Sequence, residues 1–157
     1  MSTITYSGVS SDTLGIMVNQ IIVPPSSVEE YEMIKIPGRP EPLRSNLKTR
    51  PPIQIEVEAT IVEDNVLRQI YSTFQGTGKL IRSTEPDKYY NASAQVITPE
   101  NIARYMHKIT LGFECMPFAY AVSNDPVELE ISGSAATIDV GGGCYCQPIY
   151  KIYGSGD

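Results

Sequence analysis

The clearest pattern in the chain is an alternation of apolar and polar positions over residues 53–62. Every second position is apolar and the positions between are polar, the apolar set being Ile53, Ile55, Val57, Ala59 and Ile61. A period of two with many β-branched residues is typical of a half-buried antiparallel strand. Similar alternation predicts strands at 89–97 and 107–116, and we expect a short strand at 79–82.

One segment, 64–75, has helical periodicity. Its apolar side chains recur every three or four residues and form one stripe, made of Val66, Leu67, Ile70, Tyr71 and Phe74. Asp64 can cap the start by accepting a backbone N–H, and Gly76 and Gly78 can adopt the left-handed turn that ends a helix. We therefore predict a single helix between the strands at 53–62 and 79–82.

Turn chemistry marks two connections. The sequence EPD at 85–87 predicts a turn before the strand at 89–97. The sequence TPE at 98–100 fits a helix start, with a capping threonine and a proline at the first helical position, but it also fits a hairpin connection into a long strand that ends near 116. No apolar helical stripe follows Thr98 for more than one turn, so the hairpin is favoured.

Prolines crowd the segment 19–52. Because proline donates no backbone hydrogen bond and fixes φ, this segment cannot be a central strand or a helix. An irregular connection of about 30 residues is longer than a compact domain usually contains, which indicates a mobile segment or one held against a partner. Residues 29–36 could add one strand inside it. The prolines are Pro24, Pro25, Pro37, Pro40, Pro42 and Pro51, with Pro52 at the edge.

The character of the chain changes after residue 121. The sequence SNDP at 123–126 predicts a linker, and short apolar runs follow at 127–132, 135–140 and 145–152, with glycines at 141–143. A segment this short cannot build a closed β core. We predict an N-terminal domain over 1–122. For 123–157 we predict a linker and the first strands of an incomplete second β domain, or an appendage packed on the first domain.

Composition excludes several classes of function. The chain has 157 residues and a formal net charge of −6, whereas binding to a phosphate backbone needs a clustered basic face. No run of about 18 apolar residues occurs, so we expect no membrane span, and the opening residues lack the features of a secretory signal. Three cysteines are an odd and small number, which indicates folding in a reducing compartment.

Histidine and cysteine offer little catalytic or metal-binding chemistry. His107 is the one histidine, and no nucleophile signature surrounds any serine or cysteine. Cys144 and Cys146 form a single Cys-x-Cys without the paired spacing of a zinc site. Cys115 lies on the apolar side of its predicted strand and is expected in the core. We therefore expect no catalytic residue, no metal and no cofactor.

Three other motifs also have plain structural interpretations. The sequence GTGK at 76–79 follows a helix instead of opening one, so it predicts a helix end and a turn and not a phosphate loop. Glu56 and Glu58 share a strand face about 7 Å apart, which fits a retaining glycosidase pair, but the alternation favours a solvated or interface face. Tyr89 and Tyr90 are adjacent, point to opposite faces and form no base-stacking platform.

The order of several segments resembles the distal tail protein family of long, non-contractile phage tails. The resemblance covers about residues 1–120, and its most specific parts are PDKYY and the ending F-x-C-x-P-F-x-Y. The segment PIYKIYGSGD at 148–157 resembles a piece of that family's second, galectin-like domain, so we expect the chain to break off inside that domain. The matching segments are ITYSGVSSDTLGIMV (4–18), IPGRP (36–40), PPIQIEVEATIV (51–62), GTGKLIRSTEPDKYYNASA (76–94) and ITLGFECMPFAY (109–120).

The resemblance implies a structural role and a fold. The fold is mainly β: a tail-tube-like sandwich of two sheets with one flanking helix and a long extended loop. Six copies form a ring that joins the tail tube to the tip and host-adsorption proteins, and DNA passes through without specific binding. The implied location is the virion tail tip, after synthesis in the bacterial host cytoplasm. We expect 19–52 to wrap the adjacent subunit, with interface residues Pro37, Gly38, Arg39 and Pro40.

Three alternatives remain open at this point. A carbohydrate-binding module of a tail or cell-surface protein is suggested by the galectin-like piece and by ten tyrosines, although the chain has no tryptophan. A hydrolase that uses Glu56 and Glu58 is the second. A tail-tube or secretion-tube subunit, which polymerises into long tubes instead of one ring, is the third.

Overall fold

A computed structural model describes residues 2–25, 27–62, 64–103, 106–123, 128–130, 137–138 and 149–153. The chain divides into two compact units, Met1–Asn124 and Asp125–Asp157, and the account below concerns the first. The strands predicted within 127–152 fall largely outside the described residues, as do Cys144, Cys146 and the glycines at 141–143. The galectin-like assignment of 123–157 stays a prediction.

The described residues of the first unit form one helix and two antiparallel sheets. The larger sheet has seven strands in the order β2-β1-β7-β8-β9-β6-β3, and the smaller one pairs β4 with β5. The elements are β1 (Ile4–Tyr6), β2 (Val9–Ser10), β3 (Met17–Ile22), β4 (Tyr31–Ile34), β5 (Leu43–Asn46), β6 (Ile53–Ile61), α1 (Asp64–Thr73), β7 (Thr77–Arg82), β8 (Glu85–Ala103) and β9 (Met106–Ala121).

The seven-stranded sheet folds over on itself to form the two layers of a sandwich. Ser2 bridges to Val18 of β3, which links the chain just before β1 to the far edge strand of the sheet. Tyr6 of β1 and Phe113 of β9 pack with ring centroids 5.4 Å apart, although two strands separate them in the sheet. The predicted mainly β, sandwich-type fold is confirmed.

The core lies between these layers and is closed by the end of α1. Phe74 stacks on Tyr6 at 5.6 Å and meets Phe113 edge-on at 5.9 Å, so three rings from distant parts of the chain form one cluster. Aromatic clusters of this kind add specific geometry to a large buried apolar area. The alternation predicted for β6 and β9 is confirmed, with the buried members Ile55, Val57, Ala59, Ile61, Ile109, Leu111, Phe113 and Cys115.

The local predictions around the helix and the long hairpin need three corrections. The turn predicted at 85–87 lies earlier, at Ser83 and Thr84, and β8 begins at Glu85. A hairpin joins β8 and β9, but the prediction that 98–100 are its connection is wrong. These residues lie inside β8, which pairs with β9 as far as Ala103↔Met106. Gly78 does not end the helix. It lies in β7, and only Gly76 of the two has a positive φ, at 67°.

Position 78 requires a glycine because the ring of Tyr6 lies across it. A Cβ at this position would stand 3.1 Å from Cζ of Tyr6 and 2.0 Å from Oγ of Ser7. The Tyr6 ring passes over β7 so that its hydroxyl can donate to the carbonyl of Gly76 at 2.6 Å. A side chain at 78 would therefore force Ser7 Oγ to move and would press on the Tyr6 ring.

The proline-rich segment is more regular than predicted. We call residues 23–52, between β3 and β6, the arm. One strand was expected within 29–36, but the arm contains two, β4 and β5, which pair only with each other. The second strand was missed because Leu43 to Asn46 show no apolar alternation, and exposed strands on a two-stranded hairpin do not require it.

Candidate functional site

The arm is a β-hairpin closed by a proline–glycine turn. Four residue pairs run from Tyr31↔Asn46 to Ile34↔Leu43. At the tip, the carbonyl of Ile36 accepts a hydrogen bond from the N–H of Arg39 at 3.2 Å. Gly38 lies at the third position of this turn with φ of 83°. This is the type II geometry, in which proline suits the second position and glycine the third.

The base of the arm is fixed by hydrogen bonds between its two sides. Backbone bonds run from Glu30 N–H to the Thr49 carbonyl at 2.9 Å and from Leu47 N–H to the Glu30 carbonyl at 3.1 Å. The amide of Asn46 donates to Glu29 at 2.8 Å. That bond, helped by the guanidinium of Arg50, holds the pKa of Glu29 below its usual value. The base is therefore ordered by contacts within the arm.

Both faces of the hairpin carry exposed apolar residues. Cross-strand partners share a face, so Met33 lies on one face beside Arg44, and Ile34 lies on the other beside Leu43. Met33 is 54% exposed and Leu47 50%. A two-stranded hairpin is at best marginally stable in water, so this surface indicates burial against a partner. The exposed apolar residues of the arm are Val23, Val28, Tyr31, Met33, Ile34, Ile36, Leu43 and Leu47.

The outer part of the arm is basic, whereas the chain is acidic. Residues 33–48 carry four cations and one carboxylate, against a net charge of −6 for the chain. One of the cations, Arg44, lies over the ring of Tyr31 at 3.6 Å from the centroid, which is a cation–π arrangement. The carboxylates of Glu29 and Glu30 are at the base, where Asn46 and Thr49 bind them.

The residues predicted for the subunit interface lie together at the arm tip. Pro37 and Gly38 form the turn, and Arg39 and Pro40 follow it, all exposed. Their role in an interface stays a prediction.

The other motifs that fall on described residues do not assemble into a reactive site. Glu56 and Glu58 stand on the solvent side of β6, and Glu58 is paired with Lys108 at 2.9 Å. His107 is buried, with Nδ1 lying 2.5 Å from Oδ1 of Asn101. Cys115 is buried in the core, as predicted, and burial raises the pKa of its thiol to about 12.

Two searches of the described part of the chain gave negative results. The residues that the structure describes contain no cluster of three or more His, Cys, Asp or Glu side chains that could hold a metal. Among the same residues, α1 falls short of the length and apolar character needed to cross a membrane.

Sequence reasoning missed one exposed apolar surface. On the outer side of β9, Met116, Phe118 and Tyr120 lie at alternate positions and remain exposed. Tyr120 stacks on Tyr89 of β8 at 5.5 Å, and Lys79 lies over the Tyr89 ring at 4.4 Å. We call Met116, Phe118, Tyr120 and Tyr89 the stripe. In the sequence, the signal for this surface is that the alternation continues past Cys115. The positions that carry polar residues earlier in β9 carry apolar residues there.

Comparison with known proteins identifies the family. Residues 12–115 match the phage tail protein RIFT-related domain. The match spans most of the chain, which therefore belongs to this family of phage tail proteins. No curated protein matched the chain in a sequence search.

A solved structure has the same fold. The Dit protein of phage SPP1, described as a paradigm of the hub adsorption apparatus in phages that infect Gram-positive bacteria, superposes with a TM-score of 0.65 at 19% identity. The match covers 77% of this chain and 52% of that one, so this chain spans about half the length of the Dit protein. The resemblance to distal tail proteins is thus confirmed at the level of family and fold.

Proposed function

We propose that this phage tail protein is the subunit of a ring-shaped hub at the tail tip, which joins the tail tube to the tip and host-adsorption proteins. The observation that carries the proposal is the arm, an exposed two-stranded hairpin with apolar residues on both faces, since a hairpin of this kind is at best marginally stable by itself. In the ring the arm reaches the adjacent subunit through its tip, Pro37 to Pro40. The number of copies, six, is taken from the family resemblance.

A ring requires the arm to contact a different patch on the next subunit. An arm that paired with the same arm across a two-fold axis would give a closed dimer, which a hub at the end of a tube does not fit. Contact between two different patches on identical subunits is head-to-tail, and such contacts either close into a ring or grow into a filament. The turn at Gly38 and the internal bonds at the base also limit the entropy that the arm loses on docking.

The proposal includes a channel for DNA and a role without catalysis. The formal net charge of the chain is −6. A negative charge suits a DNA channel, because it repels the phosphates of the DNA and keeps them from binding. The family and the fold are those of tail proteins, and the location follows: synthesis in the bacterial cytoplasm and incorporation at the tip of the virion tail.

The test shortens the arm without disturbing its base. Residues 33–44 are replaced by Asn-Gly, which favours a two-residue hairpin turn and keeps the pairs Tyr31↔Asn46 and Glu32↔Ser45. We expect the native mass, measured by light scattering, to fall from a ring to a monomer, with the melting temperature of the first unit unchanged. Arg68→Ala, on the exposed side of α1, is the control and should keep the ring.

Each other outcome has a definite meaning. An unchanged oligomer mass in the shortened variant refutes the role of the arm. Long tubes in electron micrographs of the wild-type chain would make it a tube subunit, and a wild-type chain without any ring would end the hub proposal. Binding on a glycan array by a chain that forms no ring would favour the carbohydrate-binding alternative.

A further inference from the structure

A hollow lies between the end of β3 and the turn that joins β7 to β8. Its volume is about 420 Å³, and its lining residues are Ile21, Val23, Arg82, Thr84 and Glu85. Two of these side chains form an aliphatic wall, whereas the other three supply a hydroxyl group and two charges of opposite sign. A lining that is apolar on one side and carries a few polar groups on the other is typical of a binding site.

The cation of this hollow, Arg82, is buried. It is 8% exposed, and a guanidinium keeps its charge at any pH at which the protein is folded. The pairing of β7 with β8 is irregular at this point and passes from Ile81↔Tyr89 to Arg82↔Glu85. Such irregularities redirect a side chain and are common beside functional sites. A buried charge is costly unless it is paired and hydrogen-bonded, so the partners of Arg82 decide what this position can bind.

The partners of Arg82 leave part of its guanidinium unused. Within the described residues, both of its side-chain hydrogen bonds come from Nη2, which donates to the carboxylate of Glu85 and, at 3.4 Å, to the hydroxyl of Tyr90. Nε is buried and has no acceptor in that part of the chain. A guanidinium can donate from every one of its nitrogens. Arg82 therefore keeps unused donors at a position where 10% of its side chain is accessible.

The local balance of charge also favours an anion. Glu85 is shared, because its Oε2 accepts from Arg82 while its Oε1 lies 3.9 Å from Nζ of Lys88. One carboxylate thus serves two cations, in a chain whose net charge is −6. The positive charge of Arg82 also acts within the core, where it works against the rise in the pKa of Cys115 that burial causes. A second carboxylate at the hollow would complete the pairing of Arg82.

We propose that this hollow binds a carboxylate on a short aliphatic body, as an acidic side chain or the carboxyl-terminal residue of another tail protein presents it. The carboxylate accepts hydrogen bonds from Arg82 and Thr84, and the aliphatic part packs on Ile21 and Val23. Charge-assisted hydrogen bonds to a guanidinium are short and strong, and they strengthen further where water is partly excluded. The site goes beyond the hub function proposed above and does not require the ring.

The test is a titration of the full chain followed by NMR, observed at Nε–Hε of Arg82 and at the methyl groups of Ile21 and Val23. One probe is N-acetyl-leucine, which carries a terminal carboxylate, and the other is the α-amide of N-acetyl-glutamate, which carries a side-chain carboxylate. N-acetyl-leucine amide is the matched neutral control. We expect saturable shifts at these positions with at least one of the acids and none with the neutral amide. The acid that binds more tightly identifies the source of the carboxylate.

The other titration results overturn the inference. Saturation by neither acid would show that the hollow binds no carboxylate. Equal shifts with the neutral amide would show that the charge has no part in binding. Sodium phosphate is the control for charge alone, and equal shifts with it at the same concentrations would show an unselective anion site without a role for the aliphatic wall.

Two substitutions should change the affinity in opposite directions. Arg82→Lys keeps the charge but loses the planar set of donors, so it should weaken binding by about tenfold. Glu85→Gln removes the carboxylate that competes for Arg82 and should strengthen binding. Partial unfolding would weaken binding in both variants, so opposite effects exclude it as the cause. Arg68→Lys, on the exposed side of α1, is the matched control and should bind as the wild type does.

The variants can also contradict the site. Equal affinity in Arg82→Lys and Arg68→Lys, or weaker binding in Glu85→Gln, would end the proposal. If Arg82→Lys fails to fold, Thr84→Val replaces it, because Thr84 lies in an exposed turn, and weaker binding is again expected. The ring and this site can fail separately: a chain that forms no ring but binds the acids leaves this inference standing, and a ring that binds neither acid ends this inference alone.

Discussion

Gly78→Ala tests whether the core is closed by the passage of Tyr6 across β7. The added Cβ would stand 2.0 Å from Ser7 Oγ and 3.1 Å from Tyr6 Cζ. The first contact is far below any distance that real Cβ atoms show, and the second is tight. Ser7 Oγ can leave this contact only by rotation about χ1 to another rotamer, whereas the Tyr6 ring is held by its packing on Phe74 and Phe113.

The expected cost follows from these two contacts. Overpacking of a well-packed site costs about 1–3 kcal/mol. Replacing glycine by alanine returns about 0.4–1 kcal/mol through the unfolded chain, so we expect a net loss of about 1–2 kcal/mol. In a unit of this size that lowers the melting temperature by roughly 3–10 °C. Thermal unfolding followed by circular dichroism measures it.

The decisive measurement is a double-mutant cycle with Ser7→Gly. Removing Oγ removes the shortest contact, and glycine suits the positive φ, so the second change should recover about 1 kcal/mol of the loss. Gly8→Ala is the control. It meets no atom within 4 Å but has φ of 86°, so it costs about 1–2 kcal/mol through the backbone alone. Ser7→Gly should not rescue it. Additive effects of Gly78→Ala and Ser7→Gly would refute the steric account.

Three further predictions concern single groups. The raised pKa of Cys115 stabilises the fold fully below the thiol's usual pKa of 9.0 and loses that contribution as pH rises toward about 12. The wild type should therefore lose about 1–2 kcal/mol more than Cys115→Ala between pH 8 and pH 10 in urea titrations, and parallel pH profiles would contradict this. Tyr6→Phe loses the bond to the Gly76 carbonyl and should cost about 1–2 kcal/mol in the same assay, and an unchanged stability would show that water replaces the hydroxyl. Gly38→Ala strains the type II turn by about 1 kcal/mol, so it should weaken assembly about fivefold in light scattering while the melting temperature stays fixed. Loss of stability without loss of assembly would reverse that assignment.

The elements that sequence reasoning predicted are those in which one face is buried. β6 and β9 show a clean alternation because the core requires apolar residues at every second position, from Ile55 to Ile61 and from Ile109 to Cys115. The helix was predicted for the same reason, since Ile70 and Phe74 are buried. When one face of a strand or helix is buried, apolar residues recur along the sequence with the period of that element, and this period identifies the element.

The elements that were missed are determined by pairing or by exposure. Residues 98–103 form strand because β9 lies beside them, not through any local preference, and tertiary pairing commonly overrides strand propensity. β5 has no buried face and so no period. Its signal was the Pro37-Gly38 pair, which predicts a turn and therefore a second strand returning beside the first. The stripe was missed because its apolar residues on β9 occupy the positions that face solvent, which carry polar residues earlier in the strand.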